Sequence, residues 1–169
     1  YSITITAIPN TPPNAVCQNF TAQLDASGNV TVNGSDINNG SNDAEDGTSL
    51  TLAVSPNTFD CSNVGTPQTV TLTVTDSGGL TDTCTATVTV VDSLAPVISC
   101  VLPDPIVDTD PGVCTYTVQG TEFDATFTDN CPDGSITNDL NNTDSIANEV
   151  LPKGDTTVVW TVDDGNGQT

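Results

Sequence analysis

The side chains in this sequence that could do chemistry are mostly carboxylates. Asp and Glu number 22 against a single basic residue, and there is no histidine, so the formal net charge is −21. Without histidine the chain lacks the usual general base at neutral pH and the usual zinc ligand. Carboxylate and Asn oxygens in Gly-containing turns are instead the ligands that Ca²⁺ prefers, about six to eight at a time. The residue types therefore predict calcium as the cofactor.

Two groups of these residues are candidate calcium ligands. In the first half, loop 34–49 and turn 76–82 are expected to meet at one pole of a domain. In the second half, loop 129–133 and turn 163–166 are expected to meet at the equivalent pole, beside Asp92. The candidate ligands are Asp36, Asp43, Glu45, Asp46, Asp76, Asp82, Asp92, Asp129, Asn130, Asp133, Asp163 and Asp164. A Ca²⁺ ion between domains would neutralise the clustered charge and hold successive modules in line.

The alternative interpretation is that Asp and Asn only form turns, and that the negative charge keeps the protein soluble. No complete EF-hand motif is present. The stretch 36–42 begins like one, but it lacks the Gly at the sixth position and the Glu at the twelfth.

Composition also excludes several classes of function. Lys153 alone cannot supply the basic surface that nucleic acid or an anionic membrane requires. No apolar run approaches the roughly 18 residues of a spanning helix, so membrane insertion is not expected. An enzyme is not expected, because the acidic residues are spread over loops without flanking aromatic sugar platforms. Trp160 lies in the stretch 158–162, which has the alternating pattern of a strand, and its side chain is expected to pack in a core.

The elements that must position these residues are β-strands. Thr alternates with Val, Leu and Ile in stretches such as 69–75 and 83–90, and period-two alternation predicts half-buried strands of antiparallel sheets. Pro, Gly, Asn and Asp fall between these runs, and no convincing helix is found. In the first module, strands are predicted near 15–24, 30–33, 50–55, 58–61, 68–76 and 83–91. The fold class is all-β, with immunoglobulin-like antiparallel β-sandwich modules in tandem.

An internal repeat sets the domain boundaries. The P-x-x-x-C motif at 13–17 recurs at 96–100, and the V-x-[LW]-x-V-x-D motif at 70–76 recurs at 158–164. The predicted organisation is the last strand of a preceding module at 1–8, a linker at 9–14, module 1 at 15–92 and module 2 at 93–169. Module 2 is expected to lack its final strand, since the counterpart of Cys84 would lie beyond Thr169.

The second module resembles the hyalin-repeat (HYR) family. The resemblance rests on Pro96–Cys100, P-G-V-C at 111–114, T-D-N-C-P at 128–132, the run 151–158 and D-G-N-G at 164–167. The first module, through 17–30 and 56–65, is similar to HYR-like repeats of large secreted surface proteins of Bacteroidota. The resemblance implies an immunoglobulin-like extracellular module of adhesin-type proteins, often exported by type 9 secretion and used in attachment or gliding.

The six cysteines favour disulfides and an oxidising compartment, because no CxxC pair is present. The predicted topology places the start of the first strand and the start of the last strand at one pole, which predicts a Cys17–Cys84 disulfide. Cys100 is expected to be unpaired in this segment, and Cys114 and Cys131 are expected to pair. Cys61 is interpreted as a buried free thiol, because related repeats carry their cysteine elsewhere.

The sequence therefore predicts a stalk repeat of a secreted bacterial cell-surface adhesin, made rigid by calcium, disulfides and proline-containing linkers. Its expected partners are neighbouring repeats and possible surface glycans or proteins. The alternatives are a carbohydrate- or protein-binding module, or an accessory module of a secreted polysaccharide-degrading enzyme. The Bacteroidota resemblance also implies O-glycosylation, and the candidate sites are Ser93, Ser145 and Thr156.

Overall fold

The fold was analysed in a computed structural model that describes residues 1, 3, 9–100 and 105–169. Within it the chain divides into two compact units, Tyr1–Asp92 and Ser93–Thr169. The strand predicted at 1–8 falls almost entirely outside the described residues.

The described part of the first unit contains six strands and two short helical turns. One sheet has four strands in the order β1-β6-β5-β3, and β2 pairs with β4 in a second sheet. β1 runs parallel to β6, whereas the other pairs are antiparallel. The elements are β1 (Phe20–Gln23), β2 (Asn29–Thr31), α1 (Gly34–Ile37), β3 (Thr51–Ser55), β4 (Thr58–Asp60), a 3-10 helix (Cys61–Asn63), β5 (Gln68–Thr75) and β6 (Thr81–Val91).

Alternation of apolar residues and threonine forms the core of this unit. On β5, Val70, Leu72 and Val74 are fully buried, while the intervening threonines are half-buried. On β6, Val88 and Val90 face the same interior. This is the period-two burial that the sequence predicts, because successive side chains of a strand point to opposite faces of the sheet.

The second unit contains shorter strands in three two-stranded sheets. The pairs are β7 with β9, β8 with β11 and β10 with β12, all antiparallel. Its buried apolar residues are Val118, Ala125, Cys131, Ile146 and Val162. The strands are β7 (Val97–Ser99), β8 (Thr115–Thr117), β9 (Thr126–Thr128), β10 (Ser135–Asn138), β11 (Val150–Pro152) and β12 (Trp160–Asp163).

The predicted all-β fold class is confirmed, with several antiparallel sheets that are consistent with a β-sandwich. The structure adds two short elements that the sequence does not predict, the four-residue helix α1 and the 3-10 helix Cys61–Asn63. In the part of the chain that the structure describes, no helix has the length and apolar character needed to cross a membrane.

Candidate metal site

The turn after β12 fixes one carboxylate in the interior of the second unit. Asp164 is fully buried. Its Oδ1 accepts hydrogen bonds from the backbone N–H groups of Asn166, Gly167 and Gln168 at 2.8, 2.9 and 2.9 Å. Gly165 and Gly167 have φ of 77° and 107°, which glycine adopts without steric cost, so the chain can wrap around this oxygen. The other oxygen, Oδ2, is buried and has no hydrogen-bond partner.

A second carboxylate lies close to Asp164. Asp129 follows β9, and both of its carboxylate oxygens are buried without a hydrogen-bond partner. One carboxylate oxygen of Asp129 and one of Asp164 lie within 4.8 Å of each other. We call this pair the Asp129–Asp164 site. The candidate ligand Asp92 is the last residue of the first unit, and it is buried.

The Asp129–Asp164 site fits a hard divalent cation. Burying a carboxylate oxygen without a hydrogen-bond donor costs free energy of folding, and two negative charges within 4.8 Å of each other repel. A cation bound between them would remove both costs. The Oε1 atom of Gln168, in the same turn as Asp164, is also buried without a hydrogen-bond partner. A donor set of oxygens alone suits Ca²⁺ and gives no thiolate or imidazole for zinc.

Several first-unit candidate ligands accept hydrogen bonds from protein donors instead. Asp46 accepts from the backbone N–H and the hydroxyl of Ser77 at 2.7 and 2.9 Å. Glu45 accepts from the hydroxyl of Thr11 at 2.8 Å. These hydrogen bonds connect loop 34–49 to Thr11 and Ser77, so these oxygens stabilise the fold and are not left without a partner.

Asp82, Asp43 and Asp36 also accept hydrogen bonds from protein donors, although Oδ2 of Asp43 is buried without a hydrogen-bond partner. The N–H of Ala15 donates to Asp82 at 2.8 Å, and this bond is the main cause that lowers the pKa of Asp82. Oδ1 of Asp43 accepts from the N–H groups of Glu45 and Asp46 at 2.7 and 2.8 Å, and the Asp46 bond is the largest cause that lowers the pKa of Asp43. Asp36 accepts from the N–H of Asn33 at 2.8 Å.

The second unit contains three other candidate ligands, Asp133, Asp163 and Asn130. Asp133 and Asp163 are exposed. Oδ1 of Asp163 accepts from the N–H of Gly165 at 2.8 Å, so it helps to shape the turn. Asn130 is half-buried, and its amide lies 3.8 Å from the sulfur of Cys131.

Two of the cysteine predictions are confirmed and two are wrong. The Cys17–Cys84 disulfide is present, as predicted. The predicted Cys114–Cys131 pair is wrong: Cys114 is an exposed free thiol in the residue before β8, whereas Cys131 is 2% exposed and disulfide-bonded. The interpretation of Cys61 as a free thiol is also wrong, because Cys61 is disulfide-bonded.

The prediction for Cys61 rests on the position of the cysteine in related repeats. Within this chain, the residues 83 and 88 positions further along are Asp144 and Glu149. Cys100 is a free, exposed thiol in the described chain, as predicted.

The three candidate O-glycosylation sites differ in exposure. Ser93 and Thr156 are exposed, whereas Ser145 is half-buried and its hydroxyl accepts a hydrogen bond from the N–H of Ala147 at 3.1 Å. Trp160 is half-buried and lines a shallow cavity of about 240 Å³ with Ile98 and Val162.

Comparison with protein families and with curated proteins finds no match for this chain.

Proposed function

We propose that this chain is a structural stalk segment of a secreted bacterial cell-surface adhesin, and that it binds Ca²⁺ at the Asp129–Asp164 site. Such a segment separates an adhesive region from the cell surface, with neighbouring repeats as its main partners and with a role in attachment or gliding. The resemblance of the second module to hyalin repeats is one support for this role.

One observation carries the calcium part of the proposal. Oδ2 of Asp164 and both carboxylate oxygens of Asp129 are buried without a hydrogen-bond partner. Buried polar atoms almost always have a partner in a native protein. A cation satisfies these oxygens and offsets the charge of both residues, since Ca²⁺ takes oxygen ligands in flexible geometry.

Features of the whole chain support the structural role. The chain contains two compact all-β units, and prolines stand near the start of each, at 9, 12 and 13 in the first and at 96 in the second. Proline restricts the backbone of itself and of the preceding residue, which favours stiff connections. Disulfide bonds belong to an oxidising, extracytoplasmic compartment. The net charge of −21 favours solubility outside the cell.

Calcium titration of the 169-residue chain tests the proposal. We expect isothermal titration calorimetry to show a bound Ca²⁺ with a Kd of about 10⁻⁴ to 10⁻³ M, the range of extracellular modules. We also expect the melting temperature to fall when a chelator is added, because ligand binding stabilises only the folded state.

Matched variants separate a specific site from general charge screening. Asp164→Asn and Asp129→Asn each remove one charged ligand oxygen, and we expect them to abolish the heat of binding. Asp155→Asn makes the same change of charge at an exposed residue and is expected to bind like the wild type. No heat with the wild-type chain, and no effect of chelator on its melting temperature, would show that the calcium proposal is wrong.

A further inference from the structure

The turn that follows Asp76 in the first unit has the same backbone hydrogen bonds as the turn that follows Asp164. The N–H of Asp76 donates to the carbonyl of Leu80 at 3.0 Å, and the N–H of Asp164 donates to the carbonyl of Gln168 at 3.1 Å. In return, the N–H of Leu80 donates to Oδ1 of Asp76 at 2.8 Å, and that of Gln168 donates to Oδ1 of Asp164 at 2.9 Å. Both aspartates are buried and lie 88 residues apart, which is the repeat spacing.

The two turns differ at the other carboxylate oxygen. In the first unit, Nδ2 of Asn10 donates a hydrogen bond to Oδ2 of Asp76 at 2.9 Å. In the second unit, Oδ2 of Asp164 has no hydrogen-bond partner. The first unit therefore satisfies this buried oxygen with an amide donor from its own chain, and the second unit does not.

Gly78 provides the space in which Asn10 approaches Asp76. A Cβ atom at position 78 would collide with Nδ2 and Cγ of Asn10. At the matching position of the second turn stands Asn166, whose side chain donates to the carbonyl of Asp164 at 3.3 Å. The second turn thus carries a side chain where the first turn leaves room for a partner.

The chemistry of residue 10 decides whether Asp76 is satisfied. A carboxylate near Asp76 would repel it, whereas the amide of Asn10 donates to it.

We propose that the amide of Asn10 takes the place of a cation in the first unit, so that the chain binds a divalent cation at the second turn and not at the first. This inference rests on the proposed function, because it assumes that the Asp129–Asp164 site binds a cation. It predicts that residue 10 determines whether the first turn requires a metal.

The test compares Ca²⁺ binding by the wild-type chain with that of Asn10→Asp. We expect calorimetry to give one bound Ca²⁺ for the wild type and two for Asn10→Asp, since the variant loses the donor and gains a ligand oxygen beside Asp76. Asn39→Asp makes the same change at an exposed residue and is expected to keep one site. Asn10→Ala removes the donor without adding an oxygen, and it too is expected to keep one site.

Hydrogen–deuterium exchange on the wild-type chain gives a measurement that needs no variant. We expect Ca²⁺ to slow exchange in peptides that contain the turn 163–168 at least several-fold, and to leave peptides that contain the turn 75–81 unchanged. In Asn10→Asp, the peptides at 75–81 should exchange faster in chelator and slow down again when Ca²⁺ is added.

The outcomes separate the two proposals. If the wild type binds no Ca²⁺, the proposed function fails, and this inference fails with it. If the wild type binds one Ca²⁺ that Asp164→Asn abolishes, but Asn10→Asp still binds one, the role of Asn10 is overturned while the proposed function stands. Two sites in the wild type, or protection of 75–81 by Ca²⁺ in the wild type, would overturn the role of Asn10 in the same way.

Discussion

The carboxylate of Asp124 accepts a hydrogen bond from the backbone N–H of Ile146 at 2.9 Å inside the second unit. Asp124 is 9% exposed and Ile146 is 1% exposed. Asp124→Ala would leave a buried N–H group without a partner, which costs about 1–3 kcal/mol. We expect the free energy of unfolding of the second unit to fall by about this amount, measured by urea unfolding followed through the fluorescence of Trp160.

Asp144→Ala is the matched control, because it removes one negative charge at an exposed residue of the same unit. Exposed substitutions of this kind usually change stability by less than about 0.5 kcal/mol. An equal loss of stability in both variants would mean that charge, and not the bond to Ile146, determines the effect.

The Cys17–Cys84 disulfide joins residues 67 positions apart and closes most of the first unit into a loop. In the chain-entropy model a loop of this length contributes about 4 kcal/mol, through restriction of the unfolded chain. We expect the double variant Cys17→Ser/Cys84→Ser to lose stability of this order in denaturant unfolding.

Cys100→Ser and Cys114→Ser serve as controls for loss of the thiol group, since both cysteines are free and exposed. Neither substitution should measurably change the midpoint of denaturant unfolding. Alkylation without reductant, followed by peptide mass spectrometry, should label these two residues and leave Cys17 and Cys84 unlabelled. Labelling of Cys17 would contradict the assigned pair.

Acid should destabilise the first unit partly through Asp82. The hydrogen bond from Ala15 lowers the pKa of Asp82 in the folded state, so the unfolded state binds its proton more readily. This contribution to stability is fully present above about pH 3.9, the pKa of an Asp side chain in the unfolded state. It is lost as the pH falls through the lower pKa that Asp82 has in the folded state.

The Asp82→Asn variant isolates this contribution. An Asn oxygen can still accept from Ala15 but does not titrate, so we expect a weaker dependence of unfolding free energy on pH below about 4. Asp144→Asn is the control at an exposed residue, and it should retain the steeper dependence of the wild type. Equal pH profiles for Asp82→Asn and the wild type would contradict the role of this bond.

The strands were predictable because their signal is local. Alternation of Thr with Val and Leu over 69–75 and 83–90 produces β5 and β6, whose bounds are Gln68–Thr75 and Thr81–Val91. The Cys17–Cys84 bond was predictable from the order of the strands. β1 runs parallel to β6, so the starts of both strands lie at the same pole of the first unit.

Residue type and sequence position do not predict which acidic side chains accept hydrogen bonds from the protein and which keep an unpartnered oxygen. Asp46 and Asp164 both lie in Gly-containing polar segments, yet Asp46 accepts from Ser77 and Asp164 keeps a buried oxygen without a partner. Asp124 was not singled out, because nothing in its neighbourhood marks a bond to a residue 22 positions away. Such pairings depend on how loops fold back, which composition and periodicity do not encode.

The Asp129–Asp164 site should discriminate Ca²⁺ from Mg²⁺. Mg²⁺ requires nearly ideal octahedral geometry at about 2.0–2.1 Å and dehydrates reluctantly, whereas Ca²⁺ accepts irregular sets of oxygens at about 2.3–2.6 Å. Here the carboxylates come from separate segments, Asp129 after β9 and Asp164 in the turn after β12, so we expect an irregular set of ligands and not an octahedral one.

We therefore expect Ca²⁺ to raise the melting temperature of the 169-residue chain more than Mg²⁺ at the same concentration and ionic strength. Na⁺ at matched ionic strength controls for screening of the −21 charge, which both divalent ions also produce. Asp164→Asn should make the responses to Ca²⁺ and Mg²⁺ equal, because only screening then remains. Equal responses in the wild type would mean that the two ions act on the overall charge, and that these buried oxygens do not select between them.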